Sequence, residues 1–208
     1  MSTGWPRARA GQAIGLLGGS FDPAHEGHMA ITLEAIRRFR LDRVWWMVSP
    51  GNPLKARRPA PMPQRIAQAE AVARHPRIQV TDIEARLGTR YTAQTIARLT
   101  ARYPGIDFIW LMGADNLVQL HRWQDWHRIV ETVPMGVFAR PGDRLSARLS
   151  RAARVYRAAQ LPMGSAEALA RSQAPAWCFV NLPMSAVSST AIRAGGDWPS
   201  SGRKLAKP

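Results

Sequence analysis

Short apolar runs separated by polar, turn-forming stretches set the rhythm of the chain. Ile14–Leu17 is apolar and ends in Gly18-Gly19, as a buried strand entering a tight loop does. Val44–Val48 (VWWMV) repeats the pattern and is stopped by Ser-Pro-Gly-Asn-Pro. Phe108–Met112 (FIWLM) runs into Gly113-Ala114-Asp115, and Trp177–Val180 reads as a last strand. Ile78–Val80 and Val133–Phe138 are weaker strands. Between them, helical spacing of apolar residues predicts helices over Glu26–Phe39, Gln64–Arg74 and Tyr91–Arg102, the last with Ile96 and Leu99 inward. Strands alternating with helices imply a parallel sheet with right-handed crossovers. Ligands of such sheets sit at the carboxyl ends of strands. The loops after Leu17, Val48, Met112 and Phe138 therefore become the candidates for chemistry.

Composition narrows the setting. With 208 residues, 46% apolar and 21% charged, the chain has the makings of one ordinary core. The boundaries read as a flexible leader over 1–12, a single domain over 13–195 and a tail over 196–208. The lone Cys178 makes neither an internal disulfide nor a zinc site by itself. No apolar run reaches the roughly 18 residues of a membrane helix, and no apolar stretch precedes Ala13 as a signal peptide requires. The expected setting is the cytoplasm. The formal net charge is +15, and Lys55, Lys204 and Lys207 are its only lysines; arginine supplies the rest. Such a field favours anionic partners without choosing among them. Arg144, Arg148, Arg151, Arg154 and Arg157, three and four apart, are expected on one side of a helix. Two readings stand for that stripe: a solvated face, or an electrostatic collar for polyphosphate or RNA. No basic patch interleaved with aromatics favours RNA.

The sharpest signal is Gly18-Gly19-Ser20-Phe21-Asp22-Pro23-Ala24-His25-Glu26-Gly27-His28. Glycines let a backbone approach a phosphate, and a helix start offers free N–H groups and partial positive charge. His25 and His28, three apart, share one side of the opening turn. Two imidazoles there can donate to phosphate oxygens that gain charge in a transition state. Zinc binding is the weaker reading, because no third ligand is evident.

This string resembles the T/HxGH signature of the nucleotidyltransferase family, whose fold is a Rossmann-like α/β sheet flanked by helices. That signature is shared by adenylyl and cytidylyl transfer enzymes, so it leaves the acceptor open. Further segments narrow it: Arg90-Tyr91-Thr92-Ala93-Gln94-Thr95, Gly113-Ala114-Asp115-Asn116 with Trp123 and Trp126 after it, and Val187-Ser188-Ser189-Thr190-Ala191-Ile192-Arg193. In this order they look like the bacterial nicotinate-nucleotide adenylyltransferases, over residues 14–194. The resemblance implies transfer of the adenylyl group of ATP to nicotinate mononucleotide, with pyrophosphate released. It places His25, His28, Lys55 and Arg193 on the reacting phosphates, and Gly18, Gly19, Ser20, Phe21, Gly113, Asp115, Ser188, Ser189 and Thr190 around ATP. It also implies that Tyr91 and Thr92 recognise the pyridine carboxylate and that Trp123 stacks on the ring, with Trp126 in the core. Mg²⁺ would enter with ATP, held mostly by phosphate oxygens and water. Asp22 keeps two readings, orienting the loop or touching metal-bound water. Alternative acceptors are nicotinamide mononucleotide, phosphopantetheine or a cytidylyl-transfer substrate. Two departures stand out: Leu54 replaces a histidine usual before Lys55, and the chain after the last motif runs Gly195-Gly196-Asp197-Trp198 and ends at Pro208.

Overall fold

The computed structural model describes residues 5–51, 59–139, 142, 144–182, 192 and 198. Seven parallel strands form one sheet: β1 (Ala13–Gly19), β2 (Arg43–Val48), β3 (Ile78–Thr81), β4 (Asp107–Gly113), β5 (Met135–Ala139), β6 (Gln160–Leu161) and β7 (Trp177–Asn181). Their order is β3-β2-β1-β4-β5-β7-β6. The apolar runs are uninterrupted because both faces of the sheet are covered. Ile14, Leu16, Trp45, Met47, Phe108, Trp110 and Met112 enter one core. Their alternates Ala13, Leu17, Val44, Trp46, Ile109 and Leu111 enter the other.

The chain leaves β1 for β2 on one side and returns through β4 on the other. The gap between β1 and β4 is thus the topological switch point, where loops diverge and leave a crevice. Helix α1 (Glu26–Arg38) follows β1, and α2 (Met62–Val72) follows β2. After β3 come α3 (Ile83–Leu87) and α4 (Thr92–Arg102). After β4 come α5 (Ala114–Gln119) and then α6 (Trp126–Thr132). In a parallel sheet, each helix that directly follows a strand starts at the carboxyl edge. The N-termini of α1 and α5 therefore gather there, where backbone N–H groups and helix dipoles suit anions.

Two expectations are altered. The arginine stripe is not one helix. It is split into α7 (Arg144–Arg148) and α8 (Arg151–Val155), because Ser150 turns extended and caps the second piece, its Oγ accepting from the Ala153 N–H at 3.3 Å. The segment from Trp5, read as part of a leader, packs on the body. Arg102 lies 3.8 Å above the Trp5 ring, the Tyr103 hydroxyl donates to the Pro6 carbonyl, and the Gly11 N–H donates to the Gly105 carbonyl.

Candidate active site

The loop after β1 delivers its histidines as a helix cap. His25 is extended at the N-cap of α1, and its Nδ1 accepts from the Gly27 N–H at 3.0 Å. The His25 N–H in turn donates to Nδ1 of His28 at 3.2 Å. This is a capping box in which both side chains are imidazoles. An accepting Nδ1 carries no proton, so each neutral ring holds its proton on Nε2. Helix capping thereby fixes the tautomer that leaves Nε2–H as the donor, and the ring centroids are 4.0 Å apart. His25 is buried and His28 half-buried.

Phe21 holds this loop in an unusual shape. It sits at φ +45°, a left-handed conformation costly for a bulky residue, and is buried. Its ring stacks on Trp46 at 5.1 Å and meets His28 at 4.7 Å. Packing thus compensates the backbone strain and braces the His28 ring.

Gly18 is required by packing. A Cβ there would lie 2.5 Å from the far edge of the Trp110 ring. Trp110 in turn meets Trp123 edge-on at 6.3 Å. Trp123 is half-buried on this cluster, whereas Trp126 is buried in the core. The end of β1 and the Trp123 region are so joined through one indole. Gly113 is the N-cap of α5, and a Cβ on it would meet an Asp115 carboxylate oxygen at 2.4 Å. Asp115 is exposed at the start of α5. Tyr91 is the N-cap of α4, with Thr92 its first residue, and both are half-buried.

Beneath the start of α4, hydroxyls make a small network. Thr95 Oγ1 is 2.8 Å from Thr89 Oγ1 and 3.3 Å from the Tyr91 carbonyl, and also meets the Glu84 carboxyl. Burial raises the Glu84 carboxyl to about 7, against the lowering effect of the Thr95 hydrogen bond. The residue is half-buried overall, but its carboxyl is the inner end.

Asp22 and Arg65 were not both foreseen. The Asp22 carboxylate accepts from the Ala60 N–H at 3.2 Å and from the Trp198 indole N–H at 2.7 Å. The residue after the divergent Gly-Gly-Asp thus reaches the loop after β1. Arg65 was missed altogether, since one arginine among many carries no local signal. Of the remaining expected site residues, Gly19 and Ser20 lie at the end of β1 and just beyond it. Lys55, Ser188, Ser189, Thr190 and Arg193 lie outside the described residues.

Among the described residues no three His, Cys, Asp or Glu side chains are grouped to hold a metal. No helix among them is long and apolar enough to cross a membrane.

The cytidylyltransferase-like family model matches residues 16–195. A probable nicotinate-nucleotide adenylyltransferase of Roseobacter denitrificans is 60% identical over 198 residues, covering 95% of this chain and all of that protein. Another of the same description, from Cereibacter sphaeroides, is 65% identical over 185 residues, covering 89% of this chain and 98% of that protein. The chain belongs to the nicotinate-nucleotide adenylyltransferase family. Among solved structures, the Plasmodium falciparum nicotinic acid mononucleotide adenylyltransferase complexed with NaAD aligns with a TM-score of 0.63 at 15% identity, covering 87% of this chain and 82% of that one. At that identity it speaks for the shared nucleotidyltransferase fold, the Rossmann-like arrangement described above.

Proposed function

We propose that the chain transfers the adenylyl group of ATP to nicotinate mononucleotide, giving nicotinate adenine dinucleotide and pyrophosphate. The observation that carries this reading is the imidazole capping box at the β1/β4 switch point, with both rings protonated on Nε2. An oxygen of the acceptor phosphate attacks the α-phosphorus of ATP in line. The bond from that phosphorus to the bridging oxygen breaks, and pyrophosphate leaves with the electron pair. No covalent enzyme intermediate is needed, so positioning and charge stabilisation supply the rate.

His25 and His28 would donate from Nε2 to the oxygens that gain charge. Gly19, Ser20 and Phe21 would form the backbone cradle of the phosphates, with Gly18 letting β1 end against Trp110. Lys55 and Arg193 would neutralise charge, and Ser188, Ser189 and Thr190 would offer hydroxyls and N–H groups to the phosphates. Gly113 and Asp115 suit the adenosine, a carboxylate at a strand end being fit for ribose hydroxyls. Tyr91 and Thr92 would bring the nicotinate carboxylate to the start of α4, with Trp123 on the ring face. A divalent ion, with Mg²⁺ as the choice, would come bound to ATP and offset phosphate charge.

Tyr91→Ala and Trp123→Ala test the acceptor assignment. Each should raise KM for nicotinate mononucleotide much more than KM for ATP. Equal effects on both substrates, or none, would remove these residues from the acceptor site.

A further inference from the structure

Arg65 is 1% exposed, although it carries a charge and sits on a short surface helix. Buried arginines are normally paired with carboxylates. Arg65 makes no salt bridge within 4.0 Å among the described residues, and spends its donors on main-chain carbonyls instead. Nε donates to the Ala60 carbonyl at 2.7 Å. Nη1 donates to the Ser20 carbonyl at 2.6 Å and to the Ser49 carbonyl at 2.9 Å.

Those carbonyls belong to separate stretches of chain. Ser20 is the first residue after β1 and leads to His25. Ser49 is the first residue after β2 and opens the basic stretch that holds Lys55; Ala60 closes it. One guanidinium thus pins both ends of the basic loop to the root of the histidine loop. Two further bonds run along the same seam: the Ser49 N–H donates to the Gly19 carbonyl at 2.9 Å, and the Ala60 N–H donates to Asp22 at 3.2 Å. Burial lowers the Arg65 pKa from its ordinary value, and the Asp22 charge opposes that fall.

We propose that Arg65 is a positioning residue for adenylyl transfer, holding the root of the histidine loop at Ser20 in register with the chain at Ser49 and Ala60. It touches no substrate, and the inference rests on the adenylyl-transfer reading given above. The work demands arginine because its planar fork presents several donors in fixed, divergent directions. A lysine ammonium in the same volume is a point charge at one place and does not span carbonyls on three segments.

The arrangement also separates two kinetic constants. α2 packs on the sheet face that carries Trp46 and Val48, through Ala69. The proposed acceptor elements, α4 and Trp123, pack on the opposite face. Slackening the Arg65 seam should misplace the phosphate-side donors and leave the pyridine side alone. A displacement of about 1 Å at such groups costs on the order of 100-fold in rate.

The test compares Arg65→Lys, Arg65→Met and Arg65→Ala with the parent protein in pyrophosphate release from Mg-ATP and nicotinate mononucleotide. The expected result is a kcat loss of about 100-fold in Arg65→Lys and Arg65→Met, with KM for nicotinate mononucleotide within about threefold of the parent, as for distant sites. Arg65→Ala leaves a cavity shaped for guanidinium. Millimolar guanidinium chloride should restore its kcat by at least about tenfold, a rescue worth one hydrogen bond to a charged donor, while tetramethylammonium chloride should not. Arg65→Lys as active as the parent overturns the proposal. So does a loss in Arg65→Ala that guanidinium leaves unchanged in a protein that still melts cooperatively. If Arg65→Ala fails to fold, the kcat-against-KM split in Arg65→Lys decides alone. A parent protein that forms no dinucleotide product would instead overturn the adenylyl-transfer reading, and this inference with it.

Discussion

His25 is a helix cap by observation and a phosphate donor by proposal, and the two roles can be separated. As N-cap it satisfies the Gly27 N–H through Nδ1 at 3.0 Å. As a proposed donor it offers Nε2–H to phosphate. Alanine at 25 removes both. Loss of an N-cap side chain costs about 1 kcal/mol, and in a chain of 208 residues each 1 kcal/mol lowers Tm by about 2–4 °C. Loss of one transition-state donor costs about 100- to 1,000-fold in kcat, or about 2.7–4 kcal/mol. Asparagine is among the best N-caps, and its amide oxygen reaches the same backbone N–H groups from a shorter side chain. It does not reach where the far nitrogen of an imidazole lies. His25→Asn should therefore melt within about 1 °C of the parent, less than the roughly 2–4 °C of a lost cap, yet lose kcat as fully as His25→Ala. His25→Ala should lose both. Thermal unfolding followed by circular dichroism gives one axis, and coupled pyrophosphate release gives the other. Near-normal turnover in His25→Asn would refute the donor role. Unchanged stability in His25→Ala would refute the cap.

Other perturbations probe neighbouring parts of the argument. Gly18→Ala pushes a methyl to 2.5 Å from Trp110 and should cost about 1–3 kcal/mol; adding Trp110→Phe should recover part of that loss in a double-mutant melt, and strict additivity would contradict the clash. Glu84 has its folded pKa raised to about 7 from an ordinary 4.5, so the folded state binds the extra proton between those values. Stability contributed by Glu84 therefore falls as pH rises from about 4.5 to 7, by at most about 3 kcal/mol. Glu84→Gln should match the parent at pH 4.5 and out-melt it at pH 8; an equal gap at both pH values would contradict this. Removing residues 1–8 deletes the Trp5–Arg102 stacking and the Tyr103–Pro6 hydrogen bond, and should lower stability by about 1–2 kcal/mol without changing KM for either substrate.

Local signals carried much of this molecule. The strand runs and the histidine string could be read directly, because a buried parallel strand and a glycine-histidine turn each leave their mark within a dozen residues. The single-helix reading of 144–157 failed on Ser150, whose side chain is an N-cap signal that the arginine spacing concealed. The packing of Trp5 and Pro6 was illegible because it depends on Arg102 and Tyr103, nearly a hundred residues away. Arg65 was illegible for the same reason: its meaning lies in carbonyls of Ser20 and Ser49, and a carbonyl has no letter in the sequence. The His25–His28 pair was seen, but its geometry was not. Only the structure gives the reciprocal cap and hence the Nε2–H tautomer.

The central claim is adenylyl transfer to an acid-bearing pyridine mononucleotide. Its most direct measurement is pyrophosphate release, with the dinucleotide product identified, from Mg-ATP and either nicotinate mononucleotide or its amide in parallel. Recognition of a carboxylate by charge-assisted hydrogen bonds predicts kcat/KM at least about tenfold higher for the acid. Equal use of acid and amide would contradict the roles of Tyr91, Thr92 and Trp123, and no release with either would contradict the account itself.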